Sequence, residues 1–226
     1  MKTRRLSILT VLAFVSIACE PRAIIGFGDS ITDDWESNYG DRHNVSYILG
    51  LEELVRPLYY TEEYGRGGAT CPRVRDVKVI PELARTRYGR GDVIVLMCHT
   101  LNFWHTPLAA GLEAVLDIKE MVEATGAAFV FASQPAWHVD HATNVDSREF
   151  YDTLFPLLGD IVIIDNDRIW KEKGYNLDMS NYSDGIHMTR KGSEILGDEL
   201  YDTLCDKEVI VCEEDIVELY LNRMHK

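Results

Sequence analysis

The sequence lacks the long apolar stretches and the basic excess that mark several large classes of protein. Its N-terminal apolar run, LSILTVLAFVSIA, spans thirteen residues, whereas a membrane-spanning helix needs about 20. Lys and Arg total 23 against 37 Asp and Glu, so the formal net charge is −14. An acidic surface repels phosphate backbones and anionic lipids, and we therefore expect no nucleic-acid partner and no spanning of a membrane.

Cysteine is scarce, and its spacing matches no zinc motif. The five cysteines are Cys19, Cys71, Cys98, Cys205 and Cys212. No CxxC pair and no Cys/His pattern is present, so we predict no metal site. The last four cysteines permit three pairings: Cys205 with Cys212 would close a short loop, and Cys71 with Cys98 would link two segments near the predicted site. Buried free thiols are the alternative.

The N-terminus has the pattern of a secretory signal peptide. Basic residues precede the apolar run, and Ser16 and Ala18 place small residues at −3 and −1 of a cut before Cys19. We predict a signal peptide over residues 1–18, a single domain over 19–226, and a secreted or periplasmic protein. The alternative is a membrane-anchored lipoprotein in which Cys19 carries the lipid.

Apolar runs alternate with helical patterns along the rest of the chain. Strands are predicted at 23–28, 58–63, 92–97, 127–133 and 161–165, and helices at 46–56, 72–87, 107–125, 146–159, 189–204 and 213–224. Runs such as VIVLM are unbroken, which is typical of parallel strands covered on both faces. This predicts an α/β fold: a three-layer α/β/α sandwich with a mostly parallel, five-stranded sheet.

A serine stands directly after the first predicted strand, in AIIGFGDSITDDW (residues 23–35). A serine hydroxyl becomes nucleophilic when a base takes its proton and a third group orients that base. The segment SDGIHMTRKG (183–192) carries Asp184 three residues before His187, a spacing that lets the carboxylate reach the imidazole. It follows the last predicted strand, so it belongs to the same sheet edge as Ser30.

Three short motifs of this chain resemble sequence blocks of the GDSL/SGNH hydrolases. They are, in order, GFGDSIT, YGRGGAT and DGIHMTRKG. The GxSxG motif of the α/β-hydrolases is absent. The resemblance implies a flavodoxin-like sheet of the SGNH hydrolase type. It also implies that Ser30 is the nucleophile and that Asp184 and His187 complete a catalytic triad.

The resemblance also implies an oxyanion hole. In this family it consists of the N–H of the nucleophilic serine, here Ser30, a glycine N–H from the second block, and an asparagine side chain from the third. Gly68 matches the glycine, with Gly65 and Gly67 as neighbours that would take its place if the register slipped. Asn102 is the predicted asparagine.

The third block departs from the family pattern Gly-x-Asn-Asp. Here the strand continues as DVIVLMCHTLNFWH (92–105). An alignment without a gap puts His99 at the glycine, Leu101 at the asparagine and Asn102 at the aspartate. One extra residue makes Asn102 the oxyanion asparagine, and we prefer this because its amide can donate.

The predicted loops also carry tryptophans that could line a substrate subsite. These are Trp35, Trp104 and Trp137, although packing at the rim of the site would account for them equally well. The segment HVDHATNVD (138–146) matches no zinc pattern and is interpreted as a solvated loop or a wall of the site.

The sequence thus predicts an exported serine esterase that forms an acyl-enzyme and needs no cofactor. The resemblance implies small acyl esters as substrates, such as O-acetyl groups on polysaccharides or lipid and aryl esters, and we favour O-acetylated carbohydrate because of the predicted export and the tryptophans in the loops. The alternatives are an acyltransferase that uses the same three residues and a non-catalytic glycan-binding relative. The oligomeric state is not specified by any pattern in the sequence.

Overall fold

Five parallel strands form the central sheet in the computed structural model, which describes residues 22–33, 46–100, 106–141 and 147–212. They are β1 (Arg22–Gly28), β2 (Tyr59–Tyr64), β3 (Val93–Met97), β4 (Ala128–Ala132) and β5 (Val162–Ile164). Their order in the sheet is β2–β1–β3–β4–β5, and every neighbouring pair is parallel. This flavodoxin-like order places a switch point at β1, where open α/β sheets bind their ligands. The predicted fold class is confirmed.

Helices cover both faces of this sheet. They are α1 (Tyr47–Val55), α2 (Cys71–Val74), α3 (Ile80–Arg85), α4 (Leu108–Thr125), α5 (Arg148–Leu158), α6 (Asn166–Glu172) and α7 (Arg190–Asp206), with 3₁₀ turns at Tyr175–Leu177 and Met179–Asn181. One hydrophobic layer joins the sheet to α2, α4 and α5, and the other joins it to α1, α6 and α7. The three predicted layers are therefore present.

The composition of β3 explains why the sheet is covered on both sides. All five of its residues are buried. Because side chains alternate along a strand, Ile94 and Leu96 enter one hydrophobic layer while Val93 and Val95 enter the other. A strand without a polar face cannot lie against water, and each fully buried aliphatic side chain contributes about 1.5–3 kcal/mol.

The helix predicted over 72–87 is interrupted. A π-helical turn, Arg75–Val79, separates α2 from α3, and the N–H of Ile80 bonds to the carbonyl of Arg75, five residues earlier. Pro81 follows directly, and proline has no N–H to continue the α-helical ladder. The predicted single helix is therefore divided by a widened turn just before Pro81.

Other helix ends follow their local chemistry. Pro107 stands at the N-cap of α4, and Gly126 ends it in the left-handed region at φ 88°, which agrees with the predicted range 107–125. Asp146, the first residue of the predicted helix 146–159, lies outside the described residues, and α5 begins after Ser147. Helix α6 was not predicted; it lies between the predicted strand 161–165 and the predicted helix 189–204. Asp165 caps it by accepting from the N–H of Arg168 at 3.3 Å.

Two disulfides close within the described chain: Cys71–Cys98 and Cys205–Cys212. Of the pairings and free thiols that the sequence left open, the structure therefore has these two bonds. The predicted signal peptide, Cys19 and the predicted helix 213–224 lie outside the described residues. Across the described ranges, no helix combines the length and apolarity that crossing a membrane requires.

Candidate active site

Ser30, His187 and Asp184 form a hydrogen-bonded row at the carboxyl edge of the sheet. His187 Nε2 lies 2.9 Å from Ser30 Oγ, and His187 Nδ1 lies 2.6 Å from Asp184 Oδ2. Ser30 follows β1 by two residues, and the other two lie in the segment that joins β5 to α7. We call these three residues the serine–histidine–aspartate network. The structure thus brings together side chains separated by 157 positions.

The local fold of the 183–188 segment holds the aspartate beside the histidine. Asp184 Oδ1 accepts from the N–H of Ile186 at 3.0 Å and from that of His187 at 2.8 Å. This arrangement is an Asx turn. Gly185 adopts φ 91°, a left-handed conformation that glycine enters without strain. One carboxylate oxygen therefore organises the turn while the other faces the imidazole.

The electrostatics of this pair suit a base held in one orientation. Burial opposes the charge of Asp184, but the hydrogen bonds from the ring and backbone of His187 outweigh it and lower the pKa of Asp184. Burial likewise opposes the charge of His187, yet the hydrogen bond and charge of Asp184 raise the pKa of His187 above its ordinary value. An ionised carboxylate next to a basic imidazole is the pattern by which a serine hydroxyl is activated.

Asp29, immediately before Ser30, is fully buried beneath the network. Its Oδ1 accepts from the N–H of Ile31 at 3.0 Å, and its Oδ2 accepts from Gln134 Nε2. Burial raises the pKa of Asp29 to about 7, against the lowering effect of the Ile31 hydrogen bond and of His187. This carboxyl group is therefore protonated far more readily than an exposed one.

Gly68 lies in a tight turn that packs against the end of β1. The turn is closed by a hydrogen bond from the N–H of Ala69 to the carbonyl of Arg66 at 3.0 Å, and Gly68 has φ 68° at its third position. Gly67 N donates to Asp33 Oδ2 at 2.9 Å. The Gly68 N–H makes no hydrogen bond to any part of the chain that the structure describes.

Trp137 lies beside the histidine-bearing turn. Its ring meets the ring of His141 edge-on, with centroids 5.3 Å apart. A side chain at Gly185 would come within 2.7 Å of His141 Cδ2, and the N–H of His138 donates to the carbonyl of Gly185 at 2.8 Å. Trp137 is half-buried, and the segment that carries it contacts the turn of His187 through His138 and His141. The other predicted subsite residues, Trp35 and Trp104, and the predicted oxyanion donor Asn102 lie outside the described residues.

Two buried side chains near the site, Gln134 and Tyr151, were not singled out from the sequence. Gln134 bonds to Asp29, and its own N–H donates to Tyr151 Oη at 3.0 Å. Gln134 follows β4 at the same sheet edge as Ser30, and that position was the available signal. Among the described residues, no group of three His, Cys, Asp or Glu side chains is arranged to hold a metal ion.

The comparisons with known proteins identify the fold class. No protein-family model and no curated protein matches the chain. Many solved structures do match, and several are described as lipolytic proteins of the G-D-S-L family, as lipases or as esterases. The fold is that of the GDSL/SGNH hydrolases, and the resemblance seen in the motifs is confirmed at this level.

Three similar structures show how far the likeness extends. A lipase/acylhydrolase from Enterococcus faecalis has a TM-score of 0.64 and 15% identity, covering 82% of this chain and 96% of that one. The acetyl xylan esterase AlAXEase has a TM-score of 0.62 and 18% sequence identity, and the match covers 80% of this chain and 99% of that one. A Bacillus subtilis protein has a TM-score of 0.67 and 15% sequence identity. That match covers 84% of this chain but only 57% of the longer Bacillus subtilis chain.

Proposed function

We propose that this protein is a serine ester hydrolase that acts through an acyl-enzyme. The observation that carries the proposal is the serine–histidine–aspartate network, in which hydrogen bonds join Ser30 Oγ to His187 and His187 to Asp184. A hydroxyl, an imidazole and a carboxylate in this order perform acyl transfer on several unrelated folds. The GDSL-type fold places the row where such sheets hold their chemistry.

The reaction follows from the positions of the three side chains. Ser30 Oγ attacks the ester carbonyl while His187 Nε2 takes its proton. His187 then returns that proton to the leaving alcohol as the C–O bond breaks, which leaves an acyl-serine ester. Water repeats the sequence: His187 removes its proton, the hydroxide adds to the acyl carbon, and the proton returns to Ser30 as the acid departs. Asp184 stabilises the imidazolium in both halves.

The negative charge on the carbonyl oxygen requires donors on the opposite side. The N–H groups of Ser30 and Gly68 supply two of them in this proposal, and Asn102 remains the predicted third. The turn that contains Gly68 supports the role of its N–H, because Arg66 in that turn is hydrogen-bonded to Gly28 and Asp29, next to Ser30. Each such donor is worth on the order of 10²–10³ in rate, so the reaction tolerates the loss of one donor far better than the loss of Ser30.

We propose O-acetylated carbohydrate as the substrate class. Trp137 supports it, since its half-buried ring precedes His138, whose N–H bonds to Gly185 in the turn that carries His187, and an aromatic ring there can pack on a sugar. The similar structure described as an acetyl xylan esterase also supports it. The mechanism requires neither metal nor organic cofactor, because the nucleophile, base and oxyanion donors are all groups of the protein.

The test compares p-nitrophenyl acetate turnover by the wild type, Ser30→Ala and the control Ser180→Ala, which removes an exposed serine hydroxyl. Loss of a nucleophilic serine costs on the order of 10⁶ in rate, so Ser30→Ala should fall to the background rate and Ser180→Ala should not. Equal rates for the wild type and Ser30→Ala would overturn the assignment.

A fluorophosphonate probe should label Ser30, whereas a glycan-binding protein without catalysis would leave it unlabelled.

A further inference from the structure

The turn that carries Gly68 is fastened at its beginning to the residues around Ser30. The N–H of Arg66 donates to the carbonyls of Gly28 at 3.0 Å and Asp29 at 3.3 Å. The N–H of Gly67 donates to Asp33 Oδ2 at 2.9 Å. These bonds fix where the turn enters the site.

The far end of the same turn is fastened to the next strand, β3. Cys71, three residues after Gly68, is covalently bonded to Cys98, which directly follows β3. The N–H of Cys71 donates to the carbonyl of His99 at 3.2 Å, and Thr106 Oγ1 donates to Thr70 Oγ1 at 2.9 Å. The disulfide is the one link among these that cannot open by exchanging a protein partner for water.

We propose that the Cys71–Cys98 disulfide is a positioning element of the active site, which holds the turn so that the Gly68 N–H stays aimed at the developing oxyanion. An oxyanion donor is effective because it is already in place when charge develops and needs no reorganisation. A turn held at both ends meets that condition. With the disulfide removed, no covalent bond holds the end of the turn, and what remains is single hydrogen bonds, each of which contributes little net, and the burial of Ala69 and Val74 in the hydrophobic layer. The inference rests on the proposed function, since it assigns the disulfide to that site.

The burial of the Cys71–Cys98 disulfide protects it from reduction while the protein is folded. Cys71 and Cys98 both have 0% exposure, so a thiol reductant has no access to them in the folded protein. The second disulfide provides a matched comparison. The N–H of Val211, beside Cys212, donates to Tyr59 Oη at the first residue of β2, which is the sheet edge opposite to Ser30.

The experiment compares Cys71→Ser/Cys98→Ser and Cys205→Ser/Cys212→Ser with the wild type, each well below its own melting temperature. We expect removal of the Cys71–Cys98 bond to lower kcat for p-nitrophenyl acetate by 10-fold or more, with KM changed less than 3-fold. The acid limb of the pH profile should not move, because the His187 turn is untouched. Removal of the Cys205–Cys212 bond should leave kcat within 2-fold. The apolar pair Cys71→Ala/Cys98→Val, which adds no buried hydroxyl, repeats the test if the serine pair does not fold.

Hydrogen exchange of the 65–70 backbone provides a readout that does not depend on activity. We expect these amides to exchange at least 10-fold faster without the Cys71–Cys98 bond and at the wild-type rate without the Cys205–Cys212 bond. Unchanged exchange and kcat, or equal losses in the two double variants, would overturn the positioning role. A wild type that does not hydrolyse the ester would instead refute the proposed function, and the exchange data would still decide whether the disulfide holds the turn.

Discussion

Asp184 uses its two carboxylate oxygens for different tasks, and an asparagine can replace one of them only. In Asp184→Asn the amide oxygen can still accept from the backbone of the turn, but the NH₂ group then faces His187 Nδ1. Donation to Nδ1 forces the ring proton onto Nε2, where it blocks acceptance from Ser30. We expect kcat to fall by on the order of 10⁴ with little change in thermal stability.

The pH dependence of activity tests the same pair. Neutral His187 is the active base, and its pKa is raised by Asp184, so kcat/KM should decline on acidification from above the ordinary histidine pKa of about 6.5. In Asp184→Asn the residual activity should have its acid limb at lower pH than in the wild type. An unchanged limb would contradict the assignment of His187 as the titrating base.

Asp29 should make the protein less stable as the pH rises. Its pKa is raised to about 7 in the folded protein by burial, above the ordinary value of about 3.9. Between these values the folded state holds a proton that the unfolded state has lost, so the free energy of unfolding decreases as pH increases.

Asp29→Asn removes this titration, and the Gln134 amide can rotate to present its oxygen to the new NH₂ group. Urea unfolding at pH 4 to 8 should therefore show the wild type losing a few kcal/mol relative to Asp29→Asn across that range. Parallel pH profiles for the two proteins would show that Asp29 does not titrate as described.

The turn after β2 packs closely against the segment that follows β1 and carries Ser30. A side chain at Gly65 would come within 2.1 Å of the backbone nitrogen of Asp33, so Gly65→Ala must push the turn away from β1. We expect a kcat loss of 10-fold or more, together with a lower melting temperature. The control is Gly89→Ala, where an added Cβ meets nothing within 4 Å. A Gly65→Ala enzyme with wild-type kcat would show that the position of this turn does not matter.

The whole molecule combines two disulfides with the predicted signal peptide. Disulfides persist in oxidising compartments, which supports our proposal that the protein is exported and cut before Cys19. Expressed with its own N-terminus in a secreting bacterial host, the protein should have an intact mass that lacks residues 1–18. Ala18→Arg, which places a large residue at the −1 position, should remain uncut.

Two other masses would count against this proposal. An exported wild type that retains residues 1–18 would refute the cleavage site, and a lipid-sized increase at Cys19 would favour the anchored alternative over a soluble product.

Local pattern alone determined the alternation of strands and helices and therefore the fold class. The unbroken VIVLM run leaves β3 no surface to expose to water, and the predicted 92–97 matches Val93–Met97 to within one residue. The Asp184–His187 contact was also local, because three positions separate the two residues. By contrast, α6 was missed because its seven residues carry too short an apolar pattern to distinguish from a loop, and the π turn before Pro81 depends on packing as well as on the missing N–H.

Only the tertiary structure decided which residues that are distant in sequence contact one another. Sequence order could place Ser30 and His187 at one sheet edge, but the 2.9 Å contact depends on how β1 and the turn before α7 pack in three dimensions. The disulfide pairing was open for the same reason, since loop closure in an unfolded chain does not choose among four cysteines. The position of Gln134 after β4 was readable from the sequence, but its hydrogen bond to Asp29 was not, because the partner of a buried polar group is distant in sequence.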